Sequence, residues 1–119
     1  MLPPQRMGQV FLVKTTLPGD WIEAFVGEFK HKALLAGAAC AEHQRVTSMY
    51  GWEGAVQSSQ EWSVQFTVGA DALASVLDQL SANHPYEVPQ ILHWAADSQP
   101  PYYEWVGSFV SVSDQPSKN

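Results

Sequence analysis

From Glu61 to Val68 the chain alternates without interruption: Trp62, Val64, Phe66 and Val68 are apolar, and Glu61, Ser63, Gln65 and Thr67 between them are polar. A period of two is the side-chain period of a β-strand, and one apolar face with one polar face is the pattern of an antiparallel sheet covered on a single side. A chain of 119 residues makes one domain and buries roughly two-thirds of its unfolded surface. Whatever else the chain forms must pack against that one covered face.

The rest of the sequence supplies the partners. Residues 9–16 (QVFLVKTT) read as a buried strand, closed by a turn at Pro18-Gly19. Asp20 is placed to cap a helix, with Glu23 three residues on, and Ile22, Phe25, Val26 and Phe29 follow helical spacing along one face. Gly37 is the expected stop. Residues 38–50 form a second strand, and Gly51-Trp52-Glu53-Gly54 marks a hairpin into the alternating strand. Asp71 is the expected cap of a second helix carrying Leu73, Val76, Leu77 and Leu80. Residues 87–95 are expected as a fourth strand. Pro100-Pro101 opens a last helix bearing Tyr102, Trp105, Val106, Phe109 and Val110.

The order β-α-β-β-α-β plus a C-terminal helix predicts an α+β, ferredoxin-like antiparallel sheet with two helices on one face. The domain is expected over residues 8–112, with frayed tails at 1–7 and 113–119. Two helices leave the other sheet face bare. Five Trp, four Tyr and five Phe are a heavy aromatic load for so small a unit. Some of these rings are expected at a subunit interface, where Trp and Tyr are enriched, and the last helix has no obvious slot within the chain.

Charge narrows the function. Twelve acidic against six basic residues give a net charge of −6, which disfavours nucleic acid and anionic membrane as partners. The apolar runs are strand-sized, too short to span a bilayer. Cys40 is the only cysteine, so no internal disulfide forms. The first residues lack the apolar run of a secretory signal, and a cytoplasmic protein is expected. No nucleophile elbow, zinc-protease helix or phosphate-cradling glycine loop is present, so an enzyme is not expected.

The segment Asn83-His84-Pro85-Tyr86-Glu87-Val88-Pro89-Gln90 is stiffened by two prolines and holds an imidazole beside a carboxylate. Together with Val46-Thr47-Ser48-Met49-Tyr50-Gly51-Trp52-Glu53-Gly54 and Tyr103-Glu104-Trp105-Val106, it resembles the CutA family of divalent-cation tolerance proteins. The resemblance covers roughly residues 8–110 and implies a homotrimer of ferredoxin-like subunits with strand edges paired between copies. It also implies a part in tolerance of copper or other divalent metals, and a signalling role like that of PII-type trimers. Family members proposed to bind copper have a cysteine late in the first strand, a histidine before the His-Pro pair and an acid after Val-Pro. The matching positions here are Thr15, Asn83 and Gln90, and Thr67 stands where the family commonly has lysine.

His84 and Glu87 are the remaining candidate metal ligands, since imidazole nitrogen and carboxylate oxygen both bind Cu²⁺ and Zn²⁺. On an extended strand, residues three apart face opposite ways, so a neighbouring copy has to complete such a site. Cys40 and His43 meet the same difficulty, while His31 and His93 lack acidic or thiol neighbours. Tyr50, Trp52, Glu61 and Tyr86 are expected to line an inter-subunit cleft together with His84, the competing expectation being that they are packed in a plain subunit interface. No cofactor is obligatory, although copper or another divalent ion remains a candidate, and no protein partner is named by the sequence. The competing expectation is a PII-like small-molecule sensor or protein-interaction module without a metal role.

Overall fold

A computed structural model describes residues 8–112; the two stretches expected to fray lie outside them. Four strands form one antiparallel sheet in the order β2-β3-β1-β4, where β1 is Gly8–Pro18, β2 Ala38–Trp52, β3 Ala55–Val68 and β4 Ile91–Ser98. Helices α1 (Glu23–Leu35), α2 (Leu73–Asn83) and α3 (Pro100–Gly107) complete the α+β, ferredoxin-like unit. Central strand β1 sets Val13 opposite Phe66, Thr15 opposite Val64 and Leu17 opposite Trp62. These residues share a face with Ile91 and His93 of β4 and with Ala41 and His43 of β2. The alternation read in β3 is therefore the alternation of the whole sheet.

That face carries the core. Val13, Leu17, Val64 and Phe66 pack with Val26, Phe29 and Ala33 of α1 and with Val76 and Leu80 of α2. The two helix starts differ from expectation. Asp20 does not cap α1: the Trp21 N–H donates to the Pro18 carbonyl at 3.1 Å, and this turn brings Ile22 to the cap position with no side-chain cap bond. The Trp62 indole instead fixes the entry by donating to the Trp21 carbonyl at 3.0 Å. Ile22 and Phe25 are correspondingly turned outward, 60% and 52% exposed, and the buried stripe is Val26, Phe29 and Ala33. Asp71 likewise lies in a 3₁₀ turn, Ala70–Ala72, ahead of α2. Gly37 does end α1, at φ 118°, a conformation that favours glycine.

The last helix does have a place within the chain. Val10 pairs with Ala96, and alternation puts both on the face away from α1 and α2. Val106 of α3, fully buried, packs there with Val10, Ala39, Ala96 and Phe109. Helix α3 thus covers one end of the face expected to be bare, and only the remainder stays open. The Tyr103 ring lies directly against Gly8, where no Cβ fits.

Two features shape the edges of the sheet. Pairing of β3 with β1 stops at Glu61–Pro18, while β3 and β2 continue together to Ala55–Trp52. The excess is a two-stranded arm closed by Glu53-Gly54, both at positive φ (51° and 78°), as a two-residue primed hairpin turn requires. The second feature is the segment 84–90. It is an irregular connection, and β4 begins only at Ile91. Pro89 fixes φ and has no N–H to offer, so the strand expected from residue 87 starts after it.

Candidate functional site

The segment 84–90 passes the edge of β1 just beyond its last pairing with β4, at Thr15–Ile91, and so links the two faces of the sheet. On the core side, the His84 ring meets Phe29 edge-on at 5.8 Å between centroids. The Tyr86 N–H donates to His84 Nδ1 at 3.1 Å. A nitrogen that accepts a proton carries none, so Nε2 holds the hydrogen and donates to Thr15 Oγ1 at 2.8 Å. Burial lowers the His84 pKa, with the Thr16 backbone and the Glu61 charge acting in the opposite direction. The imidazole is neutral, with both nitrogens committed.

On the other side, the Tyr86 hydroxyl donates to Glu61 Oε2 at 2.6 Å. Burial first, and then this bond to a carboxylate, raises the Tyr86 pKa. Glu61 is only 8% exposed, as are Thr16 (8%) and Ser63 (6%), which register places on the same face. They form part of the floor of an open groove of about 850 Å³. Its walls are Tyr50 and Trp52 from the arm and Tyr86, Glu87 and Val88 from the 84–90 segment. The four residues expected to share a cleft, Tyr50, Trp52, Glu61 and Tyr86, are gathered along this one groove. Sequence reasoning missed Lys14 and Thr16 of the groove, although the alternation of β1 held the signal.

The expected ligand pair is not gathered in the same way. Glu87 is exposed on the groove wall, while His84 lies on the core side and lines no part of it. The positions that matched copper ligands are also occupied otherwise. Thr15 takes the His84 bond, Asn83 Nδ2 donates to the Gln79 carbonyl at 2.9 Å, and Gln90 Oε1 accepts from Lys14 Nζ at 3.4 Å. Cys40 is exposed on β2, opposite Thr67. His43 Nε2 lies 2.6 Å from Glu23 Oε2 and its ring meets Trp62 edge-on, so Cys40 and His43 do not converge. Among the described residues no three His, Cys, Asp or Glu side chains are placed to hold one ion. Copper seeks imidazole nitrogen and thiolate sulfur, and the described residues of one copy do not offer them in one place.

The outer edges of β2 and β4 have no strand partner among the described residues. Met49 (75%), Trp52 (49%) and Val56 (75%) are exposed on the arm, and Leu92 (50%) and Trp94 (42%) on β4. A two-stranded arm is marginal alone in water, and long apolar edges invite pairing with another chain. No helix among the described residues is long and apolar enough to cross a membrane.

Comparison with known proteins gives concordant results. The family model described as CutA1 divalent ion tolerance protein matches residues 13–108. A probable divalent-cation tolerance protein cutA homolog of Encephalitozoon cuniculi is 30% identical over 82 residues, which is 66% of this chain and 69% of that protein. Among solved structures, CutA from Synechococcus elongatus PCC7942 superposes with a TM-score of 0.75 at 26% identity, covering 91% of this chain and 94% of that one. The PII-like protein CutA from Nostoc sp. PCC 7120 shares the fold, with a TM-score of 0.71 at 24% identity over 82% and 94% of the two chains.

Proposed function

The chain belongs to the CutA1 divalent ion tolerance family, and from that premise we propose that it acts in divalent-cation tolerance as a homotrimer whose inter-subunit clefts bind and relay, without catalysis. The observation that carries this reading is the groove itself. It is walled by arm residues Tyr50 and Trp52, and among the described residues that arm lacks the third strand or packed helix it needs to stand alone in water. Pairing of the β2 edge of one copy with the β4 edge of the next gives a head-to-tail contact that closes into a ring. Such closure covers the arm and makes each groove a shared one. The PII-like relay is favoured over a copper store because His84 has no nitrogen left for an ion.

Growth under Cu²⁺ load tests the reading, in cells lacking the gene and supplied with wild type or Tyr50→Ala. The variant removes a groove wall and keeps the backbone pairing of residue 50 with Gln57. A variant that stays trimeric and fails to restore tolerance is the expected result. Full restoration by Tyr50→Ala overturns the role of the groove.

A second reading has one observation in its favour. Glu87 is exposed on the groove wall, and donors from neighbouring copies complete a divalent-ion site there. Calorimetry with Cu²⁺ and Zn²⁺ decides it: binding lost in Glu87→Gln supports the site, and silent titrations of wild type remove it. A cytoplasmic setting belongs to the same proposal, resting on the lack of an apolar secretory run in the first residues of the sequence. Fractionation of the native host tests it.

A further inference from the structure

Resting on the reading of the groove as a binding site, we propose that its occupant is a small organic cation, an amine or guanidinium carried on an apolar or ring-bearing body. Glu61 is the anchor of such a ligand. As a residue Glu61 is 8% exposed, and Tyr86 satisfies Oε2 with a neutral hydroxyl. Oε1 has no hydrogen-bond partner among the described residues. The ion pairs formed among them are Lys32–Glu28 and His43–Glu23, so no cation among the described residues is paired with Glu61. A carboxylate held close to low-dielectric walls gains more from a cationic partner than one in open water does. Glu61 lines the groove, where Oε1 is left to solvent or to a ligand.

The remainder of the lining selects among ligands. Glu61 and Glu87 contribute two carboxylates, against one ammonium from Lys14, which lies 3.4 Å from Gln90 Oε1. A phosphate or carboxylate ligand meets repulsion from both acids. A bare divalent ion gains nothing from Trp52, Met49 and Val88, because hard cations are held by several oxygens in close array. A protonated amine gains from each part of the groove. Its N–H makes a charge-assisted bond to Oε1, the faces of Tyr50, Trp52 and Tyr86 attract its charge, and the apolar wall covers its body. The volume of about 850 Å³ lies within the range of small-molecule sites.

The test is a fluorescence titration of wild type with agmatine and with tyramine, citrate serving as the anionic control and Trp52→Phe identifying the reporting ring. Saturable binding of at least one amine, weakened about tenfold or more in Glu61→Gln with the native mass unchanged, is the expected result. Glu87→Gln alters an exposed residue and keeps the test informative should Glu61→Gln fold poorly; about threefold weakening is expected. The proposal is overturned if trimeric wild type binds neither amine, if Glu61→Gln and Glu87→Gln both bind as tightly as wild type, or if citrate binds in preference. It is also overturned if Glu61→Gln dissociates the assembly, for then a Lys or Arg of another copy is the counter-charge. Amine binding by a monomeric wild type upholds this proposal and removes the trimer instead.

Discussion

Replacing His84 by alanine separates a structural imidazole from a metal-binding one. In the folded chain the ring accepts the Tyr86 N–H, donates to Thr15 Oγ1 and packs edge-on against Phe29. Each lost hydrogen bond costs about 1 kcal/mol. The Thr15 bond belongs toward the upper end of the roughly 1–3 kcal/mol range, because Thr15 is fully buried and no water replaces the partner. The edge-on ring contact adds about 0.5–1 kcal/mol. His84→Ala is therefore expected to lose about 4–5 kcal/mol, a large share of the roughly 5–15 kcal/mol that holds a domain together. Urea unfolding at matched chain concentration measures it, because assembly makes apparent stability depend on concentration.

The pH dependence sharpens the same prediction. Burial holds the His84 pKa below its ordinary 6.5, so the folded state favours the neutral ring. Its contribution is fully present above pH 6.5 and is lost as the pH falls toward the lowered value, because the unfolded chain takes up the proton first. Wild type should lose stability through that window, and His84→Ala should lack this part of the loss. A variant as stable as wild type refutes the reasoning. So does Cu²⁺ binding that is present in wild type and absent from His84→Ala.

Three other substitutions probe the groove, the arm and the α3 slot. Tyr86→Phe removes the donor to Glu61; because the raised Tyr86 pKa favours the neutral phenol in the folded state, wild type should lose stability from about pH 10 upward, and the variant should show less of that slope in alkaline unfolding. Glu53→Asn places a residue tolerant of positive φ in the hairpin turn and should gain about 0.5–1 kcal/mol, read as a rise of a few degrees in melting temperature. Gly8→Ala puts a methyl group into the Tyr103 ring and should cost about 1–3 kcal/mol, with faster hydrogen exchange confined to α3 and β1.

The parts of this fold that could be read from the sequence are those in which neighbours in sequence decide the outcome. Trp62, Val64, Phe66 and Val68 alternate because a strand turns successive side chains to opposite faces, and the structure buries the three after Trp62 completely. Leu80 and Val76 keep helical spacing and are buried as that spacing predicts. The errors lie where distant residues decide. Asp20 and Asp71 have the chemistry of caps, but the turn at Pro18–Trp21 and the 3₁₀ turn at Ala70–Ala72 move the helix starts past them. Helix α3 finds its slot against Val10 and Ala39, far earlier in the chain.

His84 is the clearest case. Nothing near it in sequence discloses that Thr15, 69 residues away, takes its Nε2 hydrogen. The rings and carboxylate of the groove were legible as a set because aromatic surplus is a compositional signal. The pairing of Tyr86 with Glu61 was not, because it depends on how the 84–90 segment crosses the edge of β1.

Light scattering of the purified chain across micromolar concentrations tests most directly whether the unpaired edges and the arm are closed by two further copies. A mass of about 40 kDa, three times the 13.2 kDa chain and constant on dilution, is the predicted result. A stably folded particle of 13.2 kDa contradicts it, because the arm then stands alone in water and the groove belongs to one chain only.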